Sequence, residues 1–263
     1  MSTNVGPIGV FDSGVGGLTV FREIARALPR QPLIYLGDSA RVPYGTKSPA
    51  TVVRYSLEAA RHLLGRGVTM LVVACNTATA AALPILQAEL SIPVIGVVEP
   101  GARAAVEKTS GVIGVIATEG TVRSRAYTKA IKALDPDVEV IESAAPLFVP
   151  LAEEGWANTH VAREVAEIYL EPLIDAGIDT LVLGCTHYPI LRATIEKVVG
   201  DAVNIVDSAE TTAEMVKEAL GASRGMNAPQ HQFLVTDAEE RFRRIAGEFL
   251  DHEIQNLELV TLG

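Results

Sequence analysis

Residues 67–75 read GVTMLVVAC, and residues 177–185 read GIDTLVLGC. Each stretch is a short apolar run with a glycine in front and a cysteine behind, which is typical of a buried strand in a parallel sheet. Glycine, leucine, valine and cysteine occupy the same four positions in both stretches. The chain contains two cysteines in all, Cys75 and Cys185. Their placement at the same point of two similar strands indicates a duplicated unit.

Other matches follow in the same order along the chain. Residues 8–10 and 113–115 both read IGV, residues 95–97 correspond to 205–207, and Val42-Pro43 corresponds loosely to Val149-Pro150. Strand-then-glycine patterns are common among βα units, so coincidence is the alternative explanation for these shorter matches. The paired cysteines favour duplication of an α/β unit of ordinary domain size.

Apolar runs alternate with helical patterns from the start of the chain, which predicts an α/β fold with mostly parallel sheets flanked by helices. Strands are predicted at 8–11, 33–36, 70–74 and 94–98, and helices at 18–28, 50–64 and 76–90. We expect two pseudo-symmetric domains with the active site in the cleft between them. The first comprises residues 1–98 plus 212–263 and carries Cys75, and the second comprises 99–211 and carries Cys185. The stretch 212–263 lies outside both repeats. It is predicted to form a strand at 232–235 and a helix at 238–250, and to pack on the first domain.

Composition and charge exclude several classes of protein. Apolar residues make up 48% of the chain, which is enough for an ordinary core, and the formal charge is −10 without a run of Lys and Arg. Nucleic-acid binding is therefore not expected, and an anionic ligand would have to be held by local donors. No stretch is apolar enough to span a bilayer, and residues 1–7 lack the pattern of a signal peptide. Two cysteines do not make a disulfide framework, so we expect a cytoplasmic protein with free thiols.

The two cysteines lie where ligands bind in parallel α/β sheets, beyond the carboxyl ends of the strands. Each is predicted to open a helix, whose free N–H groups would lower the pKa of the thiol and favour the thiolate. Two thiols that face one ligand from two copies of a unit suit inversion at a carbon, because one removes a proton and the other delivers a proton to the opposite face.

Other interpretations of the cysteines remain open at this point. A buried cysteine is often a small apolar packing residue, in which case the chain would be a two-lobed binder of small ligands without catalytic activity. Cys75, Cys185 and His187 could hold zinc, but a fourth ligand and close cysteine spacing are missing, so no metal is expected. A redox disulfide would call for a Cys-x-x-Cys motif, which the chain lacks.

Polar residues follow the predicted strands in both copies. Asp12 and Ser13 come after the first strand, and Thr118 takes the place of Ser13 in the second copy. Asp12 or Ser13 could instead cap the next helix. The glycines at 14, 16 and 17 do not have the spacing of a dinucleotide-binding loop.

Further polar residues follow each cysteine. Asn76 and Thr77 come after Cys75, and Thr186 and His187 come after Cys185. At a helix start such donors hold a carboxylate well. His187 and Glu153 could assist proton movement at Cys185, although either could be an ordinary structural or surface residue.

Four segments together resemble the signatures of the bacterial glutamate racemases, within the aspartate/glutamate racemase superfamily. They read FDSGVGG at 11–17, GD at 37–38 with PYG at 43–45, ACNTA at 74–78 and GCTHYP at 184–189. The resemblance extends from about Ile8 to Asp207, in order and spacing. It implies interconversion of L- and D-glutamate without a cofactor. A racemase of aspartate or another amino acid is the near alternative. A pyridoxal enzyme would need a Schiff-base lysine, which none of the segments offers.

The resemblance also implies roles for particular residues. Cys75 would deprotonate D-glutamate and Cys185 L-glutamate, with Asp12 assisting Cys75 while Glu153 and His187 assist Cys185. The substrate contacts it implies are Asp12, Ser13, Tyr44, Gly45, Asn76, Thr77, Thr118, Thr121, Thr186 and His187. It further implies a homodimer and a supply of D-glutamate to peptidoglycan synthesis.

Overall fold

The structure is a computed structural model that describes residues 6–221, 229–250 and 252–263. Residues 1–5, on which part of the signal-peptide prediction rests, lie outside this range. The strands are β1 (Ile8–Asp12), β2 (Leu33–Gly37), β3 (Met70–Val73), β4 (Val94–Gly96), β5 (Val112–Ala117), β6 (Glu139–Ala144), β7 (Thr180–Gly184), β8 (Asn204–Asp207), β9 (Gln232–Val235) and β10 (Leu257–Leu259).

The helices flank these strands. They are α1 (Leu18–Ala27), α2 (Pro49–Gly65), α3 (Asn76–Glu89), α4 (Val98–Lys108), α5 (Glu119–Ser124), α6 (Ala126–Leu134), α7 (Phe148–Glu153), α8 (His160–Asp175), α9 (Arg192–Val199), α10 (Ser208–Leu220) and α11 (Glu239–Leu250). Short 3-10 turns occur at Ser39–Arg41, Tyr44–Thr46 and Tyr188–Leu191. The predicted α/β class is confirmed.

The strands form two separate sheets, and each described strand pair is parallel. The first sheet has the order β10-β9-β2-β1-β3-β4, and the second has the order β6-β5-β7-β8. We call the first sheet with α1–α3 and α11 the first lobe, and the second sheet with α4–α9 the second lobe. The C-terminal strand β9 pairs with β2, so this segment joins the first sheet.

The two sheets repeat one strand order and one register. The arrangement β2-β1-β3-β4 in the first sheet is matched by β6-β5-β7-β8 in the second. Ile8 is paired with Met70 in the first sheet, and Ile113 is paired with Thr180 in the second. These are the positions that the sequence repeat aligns with each other, so the register agrees with the predicted pseudo-symmetry.

Some predicted boundaries differ from the structure. The fourth strand ends at Gly96 rather than Val98, because Val97 already has helical backbone angles and caps α4. The predicted domain boundary at 211/212 falls inside α10, which packs against both α1 and α4. The residue limits of the two domains therefore remain a prediction.

The lobes share apolar packing. The largest cluster of buried side chains includes Val72 in the first sheet and Leu183 in the second. Because a shared core restricts relative movement, the strand ends of the two sheets are held facing a common space. Within the described part of the chain, none of the helices has the length and apolar character needed to cross a membrane.

Candidate active site

A cavity of about 40 Å³ lies at the carboxyl ends of the strands, between the two lobes. It is lined by Ser13, Val42, Pro43, Tyr44, Gly45, Cys75, Asn76, Thr77, Thr118, Val149, Cys185, Thr186 and His187. Ten of the predicted site residues are in this set. Asp12, Thr121 and Glu153 are not, and they contact residues that are. Val42 and Val149, which the sequence repeat aligns with each other, both contribute to the wall.

Cys75 ends the turn after β3 and caps α3. Its Sγ atom accepts a hydrogen bond from the Ala78 backbone N–H at 3.4 Å and donates to Ser13 Oγ at 3.5 Å. The prediction of a lowered thiol pKa is wrong for this arrangement. Burial, followed by the charge of Asp12, raises the pKa of Cys75 to about 12, against the opposing bonds from Ser13 and Ala78. The thiol is thus held in its protonated form.

Asp12 ends β1, close enough to Cys75 for its charge to act on the thiol, and it is fully buried. Its Oδ2 atom accepts a hydrogen bond from the Gly14 N–H at 2.9 Å, whereas Oδ1 has no partner among the described residues. Burial raises the pKa of Asp12, and the positive charge of His187 opposes that shift. A Cβ at Gly17 would lie 2.4 Å from the Asp12 Cβ, which explains the glycine at this position.

Cys185 is placed differently, and the prediction that it opens a helix is wrong. The chain after β7 makes a turn, closed by a Tyr188 N–H to Cys185 carbonyl bond of 3.1 Å, and enters a 3-10 segment before α9 begins at Arg192. The partner of the Cys185 thiol is the His187 ring, with Nδ1 at 3.9 Å from Sγ. A charged side chain therefore takes the place of the helix N-terminus that we expected.

His187 links Cys185 to Glu153. Its Nε2 atom lies 3.0 Å from Oε1 of Glu153 at the end of α7. Burial disfavours the charged ring, but the bonds and charges of Cys185 and Glu153 outweigh it and raise the pKa of His187 to about 10. Burial on its own would raise the pKa of Glu153. The hydrogen bond and charge of His187 and the charge of Arg241 outweigh burial, so the pKa is lowered. The pair is thus an imidazolium and a carboxylate at neutral pH.

Arg241 extends this chain of contacts into the first lobe. Its Nη2 atom, on α11, lies 2.9 Å from Oε2 of Glu153. Arg241 was not among the predicted site residues, because it lies in no motif and belongs to the segment outside both repeats. The relay Cys185–His187–Glu153–Arg241 therefore crosses from one lobe to the other.

Three threonine hydroxyls meet where the lobes approach each other. Thr77 Oγ1 lies 2.9 Å from Thr118 Oγ1 and 3.3 Å from Thr121 Oγ1, and the last two are 3.1 Å apart. Thr118 caps α5 through a bond from the Thr121 N–H. Thr77 and Thr118 face the cavity, whereas Thr121 is buried behind them.

Tyr44 and Gly45 reach the cavity on a loop anchored by Asp38. The Tyr44 hydroxyl donates to Asp38 Oδ2 at 2.5 Å, and Arg41 Nε donates to the same oxygen at 2.6 Å. Thr236 of the C-terminal segment donates to the other Asp38 oxygen at 3.0 Å. Burial and the charge of Asp38 raise the pKa of Tyr44, so this hydroxyl stays protonated. Asp38 lies in the GD segment at 37–38 and had no predicted role, yet it holds this part of the cavity wall in position.

The glycine-rich loop after β1 touches the second lobe. A Cβ at Gly16 would lie 2.4 Å from both His187 Nδ1 and Thr186 Oγ1. Nearby, the Thr19 hydroxyl donates to the Thr186 carbonyl at 3.0 Å. The glycines thus allow one lobe to close on the residues that follow Cys185, rather than forming a phosphate-binding loop.

The described residues include no group of three or more His, Cys, Asp or Glu side chains arranged to hold a metal. The geometry offers two thiols that line one cavity. Cys75 lies near the Asp12 carboxylate, and Cys185 lies beside the His187 imidazolium. Two acid–base groups that line one cavity can exchange protons with a small polar ligand bound there.

Comparison with known proteins agrees with the motif resemblance. A family model described as Asp/Glu/Hydantoin racemase matches residues 8–249. The chain is 55% identical over 260 residues to a glutamate racemase of Geobacter metallireducens, covering 97% of this chain and 96% of the relative.

Solved structures give the same result. The glutamate racemase isoform RacE1 from Bacillus anthracis superposes with a TM-score of 0.93 at 43% identity, covering 98% of both chains. A glutamate racemase from Francisella tularensis, solved in complex with D-glutamate, superposes with a TM-score of 0.90 at 38% identity, again covering 98% of both chains. The chain therefore belongs to the Asp/Glu/hydantoin racemase family, and within it to the glutamate racemases.

Proposed function

We propose that this protein interconverts L- and D-glutamate by proton transfer at the α-carbon between two thiols, without a cofactor. The observation that carries the proposal is that Cys75 and Cys185, from equivalent strand ends of the two lobes, line the same cavity. Two separate packing cysteines have no reason to share one cavity, whereas a two-base racemase requires this.

The unpaired polar atoms near Cys75 match the charged groups of an α-amino acid. Asp12 Oδ1 is an acceptor and Asn76 Nδ2 a donor, and both are buried without a partner in the described part of the chain. A buried polar atom without a partner is costly, which favours a ligand that supplies one. An ammonium group would satisfy the acceptor and a carboxylate the donor. The hydroxyls of Ser13, Thr77, Thr118 and Thr186 add further neutral donors.

The assignment of each thiol to one enantiomer is taken from the family resemblance, and the different surroundings of the two thiols fit it. In the direction from L- to D-glutamate, Cys185 Sγ takes the α-proton as a thiolate beside the His187 imidazolium. The electron pair of the broken C–H bond stays on the α-carbon, and the Cys75 thiol delivers its proton to the opposite face. The raised pKa of Cys75 suits this acid role. In the reverse direction Cys75 acts as the base, and the substrate ammonium beside Asp12 offsets the cost of its negative charge.

The α-proton of glutamate is far less acidic than a thiol, so the site must stabilise negative charge that develops at the α-carbon. Donors fixed in place before reaction do this most effectively where water is excluded. Both thiols are almost fully buried, at 6% and 5% exposure. We further propose, from the family resemblance, a cytoplasmic homodimer whose D-glutamate supplies peptidoglycan synthesis.

Exchange with solvent deuterium tests the proposal. Purified protein without added cofactor is incubated in heavy water with L-glutamate, D-glutamate or L-aspartate, and the α-deuterium content and circular dichroism are followed. We expect racemisation and α-exchange with both glutamate enantiomers, and loss of racemisation in Cys75→Ser and Cys185→Ser. Binding of glutamate without exchange would identify a binder instead, and faster turnover of aspartate would identify an aspartate racemase.

A further inference from the structure

The Asn76 amide is held in a costly orientation. Asn76 begins α3 directly after Cys75, lines the cavity and is 2% exposed. Its Nδ2 atom finds no hydrogen-bond partner within the described residues. A buried donor without a partner is unfavourable, and a simple rotation of the amide would exchange the positions of its oxygen and nitrogen. Another group must therefore fix the orientation.

That group is the hydroxyl of Tyr127, which lies on α6 in the second lobe. It donates to Asn76 Oδ1 at 2.7 Å, and the whole tyrosine is buried. Burial raises the pKa of Tyr127 above its usual value, so the phenol stays neutral and its proton needs an acceptor. Asn76 supplies that acceptor with its oxygen, which leaves the nitrogen facing the cavity.

The ring of Tyr127 packs against the end of β7, the strand that leads to Cys185. A Cβ at Gly184, the residue before Cys185, would lie 3.0 Å from Cε2 of Tyr127, and a Cβ at Gly101 would lie 3.3 Å from Cε1. The glycines thus leave room for the ring. Tyr127 therefore packs on the backbone that leads to Cys185, and it donates a hydrogen bond to Asn76, the residue that follows Cys75.

We propose that Tyr127 is a positioning residue of the substrate site, which orients the Asn76 amide so that Nδ2 donates to a carboxylate of the bound amino acid. The inference rests on the proposed function, and it adds a residue that lies in none of the four recognised segments. The contact also couples the two lobes, because the Asn76 donor in the first lobe is oriented by the Tyr127 hydroxyl of the second lobe.

The first test is Tyr127→Phe, which keeps the ring against Gly184 and removes the hydroxyl. A donor used equally in the ground and transition states changes KM and not kcat. We expect KM for both glutamate enantiomers to rise about tenfold, equivalent to about 1.4 kcal/mol, with kcat within about threefold. Tyr169→Phe is the control, because its hydroxyl accepts a bond from the Leu147 N–H away from the cavity and its loss should leave KM unchanged.

A double-mutant cycle with Asn76→Ala separates positioning from packing. If Tyr127 acts through Asn76, adding Tyr127→Phe to Asn76→Ala raises KM no further. Additive losses, or a loss in kcat at constant KM, would overturn the proposal. Wild-type turnover is measured first, so an enzyme that does not racemise glutamate refutes the proposed function rather than this inference.

A second variant keeps the proposal testable if Tyr127→Phe does not fold. Asn76→Asp retains an oxygen for the Tyr127 hydroxyl and removes the donor that faces the cavity. We expect its KM to rise at least as much as that of Tyr127→Phe. A KM equal to that of the wild type would show that Nδ2 binds no carboxylate and would overturn the proposal.

Discussion

Nε2 of His187 lies 3.0 Å from Oε1 of Glu153, and the other oxygen of that carboxylate is held by Arg241 from the opposite lobe. Cys185 is therefore served by the buried ion pair of His187 and Glu153, which the half-exposed Arg241 links to the other lobe, whereas Cys75 is served by a single buried carboxylate, Asp12. A duplicated fold has in this way produced two thiols with opposite electrostatic surroundings. This asymmetry leads to predictions that distinguish the two proton transfers.

Arg241→Gln should slow proton transfer at Cys185 more than at Cys75. The arginine side chain is half exposed, so the effect on stability should stay below about 1 kcal/mol. Without it, Glu153 loses a partner that holds it toward His187, and we expect kcat to fall about three- to tenfold. Arg192→Gln, which removes a surface pair with Glu196, is the matched control and should leave kcat unchanged.

Isotope effects locate the damaged step in Arg241→Gln. L- and D-glutamate have equal free energy in solution, so kcat/KM must be equal in both directions and cannot show which thiol is impaired. In the proposed mechanism, the α-C–D bond is cleaved at Cys185 for L-glutamate and at Cys75 for D-glutamate. The isotope effect should therefore rise with α-deuterated L-glutamate and fall with α-deuterated D-glutamate. Equal changes with both enantiomers would contradict a role limited to Cys185.

His187 should make the protein less stable as the pH rises. Its pKa is raised from 6.5 to about 10 in the folded chain, so the folded state binds this proton more tightly than the unfolded state. The resulting stabilisation is complete below about pH 6.5 and is lost as the pH rises toward 10. Urea unfolding of the wild type and His187→Gln should show a difference in unfolding free energy that is largest at pH 6 and shrinks by pH 10. A difference that grows with pH would mean that the ring is neutral in the folded protein.

The sequence was informative about the scaffold because strands and their ends leave local signals. The apolar run before each cysteine predicted the strand, and the repeat of that run predicted that both thiols face one cavity. Arg241 and Tyr127 left no such signal, since each comes from a helix remote in sequence and its role depends on packing between lobes. The protonated state of Cys75 was also mispredicted, because local helix geometry favours the thiolate while burial depends on the whole fold.

Thr118→Val should weaken substrate binding while preserving the fold. Valine keeps the shape but removes the hydroxyl that meets Thr77 Oγ1 at 2.9 Å and caps α5. We expect a rise of about tenfold in KM and a loss of about 1 kcal/mol in unfolding free energy, typical of a lost cap. Thr159→Val, which removes the equivalent cap of α8 away from the cavity, should cost similar stability and leave KM unchanged. Equal KM values in the two variants would exclude a substrate contact at Thr118.

Gly16→Ala should separate the lobes at the site. The added Cβ would fall 2.4 Å from both His187 Nδ1 and Thr186 Oγ1, so either the loop or the His187 ring must move. Overpacking of this kind costs about 1–3 kcal/mol, and we expect kcat/KM to fall at least tenfold because the His187 ring is displaced from Cys185.

Gly247→Ala is the matched control for that change. Gly247 lies within α11 and its backbone is not left-handed. Apart from its chain neighbours and the nearby backbone of its own helix, no described atom lies within 4 Å of the position that its Cβ would take. Alanine at this position should raise the unfolding free energy by about 0.4–1 kcal/mol and leave turnover unchanged. If Gly16→Ala also kept full turnover, the close contact between the glycine-rich loop and His187 would not be needed for catalysis, and the loop's role would reduce to packing.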